Sequence, residues 1–305
     1  MPELPEVEVV RAGLAPAVTG ARVLGVEAHD VRALTRHPGT AADFEARLGG
    51  RTIVGTARRG KFLWMPLSDT ASGAGPECIM VHLGMSGQML LRAPGAPAER
   101  HERVRISIEH PDHGELAIVF ADQRTFGSLA IDALIPTLDR QPGGYGDATP
   151  LVPQQAAHIA RDPLDPAFDD ALFRRRVAGK GSAIKRVLLD QTVVSGIGNI
   201  YADEALWAAR VHPETPARDL SSRALNRLLA EVRAVLAKAL AEGGTSFDAQ
   251  YVNVNGEAGY FAHSLNAYGR HGEPCPRCGR MLIRVSFANR SSHYCPFCQR
   301  ASRQR

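Results

Sequence analysis

The chain opens Met1-Pro2-Glu3-Leu4-Pro5-Glu6, which sets a secondary amine beside two carboxylic acids once Met1 is removed, as the small second residue permits. An unperturbed α-amine titrates near pH 8, about two and a half units below Lys, so roughly a tenth of it is neutral and nucleophilic at pH 7. A secondary amine that attacks a sugar C1′ forms an iminium ion directly, an electron sink for elimination. A carboxyl group within reach can protonate the opening sugar or shuttle protons. The competing reading is that Pro and Glu only begin a helix: Pro5 suits the first helical turn, and acids there complement the helix dipole.

A second constellation lies at the other end. Cys275-Pro-Arg-Cys278 and Cys295-Pro-Phe-Cys298 are separated by sixteen residues, the spacing of a four-thiolate zinc site. Two short knuckles each aim two thiolates at one ion, and 281–287 reads as a strand of the hairpin between them. So short a tail buries little core, so metal binding must supply on the order of 10 kcal/mol of its folding free energy. Four thiolates close the coordination sphere, which makes the zinc structural. A pair of disulfides is the alternative, disfavoured by the lack of a secretory signal. Cys78, in the apolar run CIMVHL, reads as a buried strand residue.

The turn V-S-G-I-G-N-I-Y (194–201) joins two helical stretches, with Asn199 expected as the cap of the second. Exposed N–H groups at a helix N-terminus bind phosphate; a purely structural turn is the alternative. Lys180, in A-G-K-G-S, stands just ahead of an expected Ser182 cap. Arg174 occupies the place of the first glycine of a nucleotide-binding P-loop, which excludes nucleotide triphosphate chemistry.

The elements that must hold these groups follow from 305 residues, which suggest two or three domains. With 44% apolar and 22% charged residues the chain reads as globular rather than disordered. No apolar run of 18 occurs, and the first ten residues carry three Glu and no Lys or Arg, so neither a membrane span nor a secretory signal is expected. The net charge of +4 conceals an asymmetry: residues 270–305 hold eight Arg and one Glu, whereas the first 269 hold 28 basic against 31 acidic residues. A basic tail on a mildly acidic body points to a polyanionic partner such as nucleic acid.

A helix is expected from Leu4 to about Ala17. Short β-rich runs follow at 52–57, 61–67, 78–83, 88–92, 103–109 and 115–120, predicting an antiparallel sandwich or barrel with the first helix packed on it. Pro136 to Pro153, with four Pro and three Gly, reads as a linker. Helices are expected from Ser182, from Asn199 and from Ser221 to Glu242. The predicted class is α+β multidomain: residues 1–135 a helix plus β-sandwich, 136–153 a linker, 154–265 a helical domain and 266–305 a four-cysteine hairpin.

MPELPEVE, R-R-G-K-F-L (58–63), H-L-G-M-S-G (82–87), D-Q-R-T-F-G (122–127), G-I-G-N-I-Y-A-D-E (196–204), G-Y-F (259–261), Y-G-R-H-G-E-P-C (268–275) and the closing cysteine hairpin occur in this order. In this the chain resembles the bacterial formamidopyrimidine-DNA glycosylases over nearly its whole length. Its P-E-L-P-E-V-E start resembles that branch rather than the endonuclease VIII branch. The resemblance implies a bifunctional glycosylase and AP lyase of base excision repair, acting on oxidised purines, chiefly 8-oxoguanine opposite cytosine and formamidopyrimidines. It implies Pro2 as the Schiff-base nucleophile and Glu3 as the proton donor at the sugar, with Glu6 at a second acidic position. Lys61 is implied as the proton donor of β-elimination and Arg290 as the residue serving δ-elimination. Met85, Arg124 and Phe126 match the residues that fill the void left by an everted nucleotide. His101, Lys180 and Asn199 match DNA-contacting positions, Asn199 in a helix–two-turn–helix motif, and 247–257 corresponds to a loop covering the everted purine. Also implied are one structural Zn2+ on Cys275, Cys278, Cys295 and Cys298, no organic cofactor, damaged double-stranded DNA as partner, and a monomer working on the nucleoid in the bacterial cytoplasm. Two departures bear on lesion choice: Thr125 stands where many members have Arg, and 248–258 differs in length and content. The alternatives are a glycosylase for oxidised pyrimidines and a catalytically silent binder of damaged DNA.

Overall fold

The computed structural model describes residues 2–68, 75–245, 254 and 259–301. They form two compact units, Met1–His158 with Gly243–Gly259, and Ile159–Glu242 with Tyr260–Arg305.

The first unit starts with α1 (Leu4–Val18). Its Val7, Val10, Leu14 and Val18 recur at helical spacing and are at most 1% exposed, so one stripe of the helix faces the core. Along the chain follow β1 (Arg22–Ala28), α2 (Ala41–Leu48), β2 (Ala57–Arg59), β3 (Phe62–Pro66), β4 (Glu77–His82), β5 (Gly87–Arg92), β6 (Glu102–His110), β7 (Gly114–Asp122), β8 (Ser128–Pro136) and β9 (Leu151–Pro153). They make two antiparallel sheets, ordered β1-β6-β7-β5 and β2-β3-β4-β8-β9. Val104, Ile106 and Ile118 of the first sheet share one core with Leu63, Val81 and Ile131 of the second and with the α1 stripe, which makes the unit a sandwich. On the opposite face of β7, Ala117, Val119 and Ala121 bury against Leu90. Burial on both faces is why Leu116 to Ala121 form an unbroken apolar run.

Two expectations are corrected. The run 52–57 is no strand of its own: Thr52 and Ile53 make isolated bridges, and Gly55 separates them from β2. Nor is 136–153 a linker. Leu134, Ile135 and Pro136 pair with Pro153, Val152 and Leu151, and Tyr145 exchanges backbone hydrogen bonds with Arg58. A Cβ on Gly144 would lie 2.4 Å from the Trp64 ring, so this glycine serves close packing rather than flexibility.

The second unit contains α3 (Asp170–Ala178), α4 (Ile184–Leu189), α5 (Asn199–Ala208), α6 (Ser222–Ala241) and a hairpin of β10 (Ile283–Phe287) and β11 (Arg290–Tyr294). The Ser221 hydroxyl accepts from the Ala224 N–H and starts α6, whose Leu225, Leu228, Val232 and Leu236 form its buried face. The helical segment and the cysteine hairpin thus belong to one compact unit. Among the described residues no helix is long and apolar enough to cross a membrane.

Candidate functional site

In the first unit, Pro2 stands at the head of α1, buried, and is followed by Glu3 and Glu6, each 2% exposed. Glu3 is the N-cap residue, and its N–H donates to Glu6 Oε2 at 2.8 Å. The other oxygen of Glu6 accepts from the Thr245 N–H at 2.7 Å, so a single carboxylate pins the helix start to the backbone at 245. The expected purine-covering loop, 247–257, lies outside the described residues except for Val254. Val254 is 3% exposed, and its carbonyl accepts from the Leu91 N–H.

Lys61 sits in the turn between β2 and β3, and the buried Arg58 braces that turn to α1. Arg58 Nε donates to Glu8 Oε2 at 2.9 Å and its Nη1 to the Gly60 carbonyl at 3.1 Å, while Arg11 donates to the same Glu8 at 2.7 Å. His82, at the end of β4, was not singled out from the sequence although it opens H-L-G-M-S-G. Burial, reinforced by the charges of Arg36 and Lys61, pushes its imidazole down to about 4, so the ring is neutral near pH 7.

Met85 and Phe126 project from neighbouring loops and are 40% and 57% exposed. The Arg124 guanidinium lies 5.1 Å from the Phe126 ring centre. His101, at φ +64°, forms the turn before β6. The structure thus gathers Met85, His101, Arg124 and Phe126 at one end of the β6-β7-β5 sheet.

In the second unit a cavity of about 490 Å³ is lined by Lys180, Ser182, Arg186, Asp190, Asn289 and Arg290, among others. Lys180 Nζ is 3.5 Å from Asp190, and Arg290 is exposed at the start of β11. The caps differ from expectation: α4 begins after Ala183 rather than Ser182, and α5 after Gly198. Asn199 is the first residue of α5, and its Nδ2 donates to the Ser291 carbonyl at 3.1 Å instead of capping. The fully buried Lys185 donates to the same carbonyl at 2.8 Å and pairs with Asp203 at 2.7 Å. Asp203 also accepts from the Ser292 hydroxyl and the His293 N–H, and Glu204 accepts from the N–H groups of Asn266, Ala267 and Tyr268. Two adjacent acids inside the apolar stretch NIYADEALWA were the signal that sequence reading left unused.

Lys185→Met strands Asp203 in the interior, and one-sided loss of a buried pair costs about 3–5 kcal/mol. Denaturant unfolding is expected to show that loss, with partial recovery in Lys185→Met/Asp203→Leu. A single variant as stable as wild type would refute the pair's role.

The sulfur atoms of Cys275, Cys278, Cys295 and Cys298 all lie within 4.8 Å of one another, with Cys278 and Cys295 at 3.5 Å. Tetrahedral zinc with 2.3 Å bonds needs edges of about 3.8 Å, so the four thiols fit one structural zinc. Trp207 donates its indole N–H to Cys275 Sγ at 3.4 Å, and the Arg277 guanidinium lies 4.1 Å over the Trp207 ring. Gln299 accepts from the Cys295 N–H and donates to the Val211 carbonyl, tying the second knuckle to the helical part.

Comparison with known proteins covers the whole of this arrangement. Residues 1–129 match the family model of the formamidopyrimidine-DNA glycosylase N-terminal domain, 159–250 that of its H2TH domain, and 272–301 a zinc finger found in FPG and IleRS. A formamidopyrimidine-DNA glycosylase of Leifsonia xyli subsp. xyli is 62% identical over 300 residues, covering 98% of this chain and 100% of that one. One from Nocardioides sp. is 52% identical over 305 residues, covering 100% and 96%. The crystal structure of Lactococcus lactis Fpg with an abasic-site-containing DNA superposes with a TM-score of 0.78 at 30% identity, covering 98% of this chain and 99% of that chain. A point mutant of the same protein with a Fapy-dG-containing DNA gives 0.79 at 31%, covering 98% and 100%.

Proposed function

Because the chain belongs to the formamidopyrimidine-DNA glycosylase family, base-excision-repair enzymes acting on damaged DNA, we propose that it removes oxidised purines through its N-terminal proline. The observation that carries this reading is Pro2 fixed immediately ahead of two buried carboxylic acids, Glu3 and Glu6, at the start of α1. The Pro2 nitrogen attacks C1′, and the bond from C1′ to the damaged base breaks, the base leaving with that electron pair and taking up a proton. Glu3 protonates the ring oxygen as the sugar opens, leaving an iminium ion on Pro2. Loss of a C2′ proton then expels the 3′ phosphate, with Lys61 supplying a proton. A second elimination, served by Arg290, expels the 5′ phosphate as the C4′ proton is lost, and water then hydrolyses the iminium, breaking the bond between C1′ and Pro2 and restoring the amine. Met85, Arg124 and Phe126 fill the space of the everted nucleotide, and His101, Lys180 and Asn199 hold phosphates. Zinc on the four cysteines holds the hairpin that carries Arg290 and takes part in no bond change. The work is done in the bacterial cytoplasm, on chromosomal DNA.

A second reading, excision of oxidised pyrimidines, draws support from a solved complex of Lactococcus lactis Fpg with an oxidized pyrimidine containing DNA. Duplexes carrying 8-oxoguanine opposite each base, a formamidopyrimidine, thymine glycol or an abasic site test both. Faster cleavage of the first two than of thymine glycol is expected. The reverse order would assign the chain to pyrimidines, and binding without cleavage of the abasic duplex would make it a silent binder.

A further inference from the structure

Met85 and Phe126 lie 41 positions apart in the sequence, on loops that share one buried carboxylate. Asp122, the last residue of β7, is 1% exposed. Its Oδ1 accepts from the Ser86 hydroxyl at 2.5 Å and from the Arg124 N–H at 3.1 Å, and its Oδ2 from the Gly127 N–H at 2.8 Å. The Ser86 oxygen in turn accepts from the Arg124 N–H at 3.2 Å. The backbone of the same residue reaches a third loop. The Asp122 N–H donates to the His101 carbonyl at 3.0 Å, and the Asp122 carbonyl accepts from Arg103 Nε at 2.9 Å. The loops also meet backbone to backbone, since a Cβ on Gly84, at φ +62°, would lie 2.4 Å from the Phe126 carbonyl carbon.

A buried carboxylate left without hydrogen bonds is costly, so three donors converging on one are held firmly. Glycine is needed at 84 both for its left-handed backbone and for the close approach. Two exposed apolar side chains and a guanidinium are therefore presented in fixed relation although they come from separate loops. Thr125 takes a left-handed φ of +52°, rare for a β-branched residue, within the loop that Asp122 closes at both ends.

We propose that Asp122, with Ser86, is the positioning group that makes the Met85 loop and the Arg124–Phe126 loop one rigid wedge, and that it sets the rate of base eversion rather than of bond breaking. This rests on the proposed reading of the chain as a glycosylase that fills the vacated stack. A wedge must enter the duplex with both apolar side chains at once, because unstacking one base step is favourable only when the space is filled as it opens. Slack between the loops lets either side chain enter alone and raises the barrier, as misplacement by about 1 Å is worth up to about a hundredfold in rate. An abasic nucleotide has no base to unstack and requires much less of the wedge.

Asp122→Asn replaces one acceptor by a donor facing the Gly127 or Arg124 N–H. Ser86→Ala removes one tie and leaves the carboxylate, and Gly84→Ala forces the loops apart from the other side. Each full-length variant is assayed under single turnover on duplex 8-oxoguanine and on a preformed abasic site, with 2-aminopurine beside the lesion reporting unstacking by stopped flow. The expected result is unstacking and base excision slower by about tenfold or more in all three, with abasic-site cleavage within about twofold of wild type. A packing defect alone would slow both substrates together. Ser86→Ala and Gly84→Ala variants that fold and keep wild-type excision and unstacking rates overturn the proposal, as does equal slowing on the two substrates. Wild-type protein that neither excises 8-oxoguanine nor cleaves the abasic duplex would instead remove the glycosylase reading on which the proposal stands.

Discussion

Borohydride is expected to trap this chain on a duplex carrying 8-oxoguanine, and the adduct to vanish when Pro2 no longer presents an amine. Extending the chain by one residue ahead of Pro2 converts the secondary amine into an amide, whose lone pair is delocalised into the carbonyl and cannot attack C1′. Pro2→Gly is a milder change. A primary amine still attacks, but its adduct must keep a proton to hold the positive charge that a secondary amine acquires without one. Trapped product should fall by about tenfold or more for Pro2→Gly and below detection for the extended chain, while binding to undamaged duplex is kept. Glu3 and Glu6 sit within the first turn of α1, and Glu6 holds both the Glu3 N–H and the Thr245 N–H, so extension at the first residue leaves these hydrogen bonds in place. Equal crosslinking by the extended chain and wild type would remove Pro2 from the chemistry.

Zinc removal is expected to have the largest effect on the second unit. Among the described residues, the buried apolar cluster around the thiols contains Ala267 and Leu282 besides Cys275 and Cys295, with Trp207 partly buried against it, too little to fold a hairpin without help. Structural zinc contributes on the order of 10 kcal/mol to such a site. Chelation, or Cys275→Ser, should release the β10–β11 hairpin and with it the Ser291 carbonyl that Lys185 and Asn199 hold. Arg290 then loses its fixed place beside Lys180. Duplex affinity should fall by about a hundredfold at physiological salt, and the slope of log affinity against log salt should flatten by about 0.9 for each phosphate that the protein no longer neutralises. Metal analysis of reduced protein should find one zinc per chain, and Trp207, bonded to Cys275 Sγ, should report release by its fluorescence. Zinc-free protein with unchanged affinity and slope would refute the role of the metal.

Both expectations were legible without a structure because they depend on residue type at short spacing. Four cysteines in two pairs, and a proline amine next to glutamate, state their chemistry locally. The strands carrying alternating or unbroken apolar runs were legible for the same reason, since a period of two or a buried run is a property of a few consecutive residues. Thr52–Ala57 and Pro136–Pro153 were misread where local composition and tertiary pairing disagree. Gly144 looks like a flexible residue until Trp64 is seen against it, and Leu151–Pro153 looks like a linker until β8 is seen beside it.

The sequence by itself determined the metal ligands and the family, and it named the proposed reacting groups. Only the tertiary structure decided what holds them. Arg58 reaches Glu8 across 50 positions, Ser86 reaches Asp122 across 36, and Lys185 reaches Ser291 across 106. Such partners carry no periodic signal, because a buried ion or carboxylate requires only that some donor arrive, and which donor arrives is fixed by the packing of distant elements.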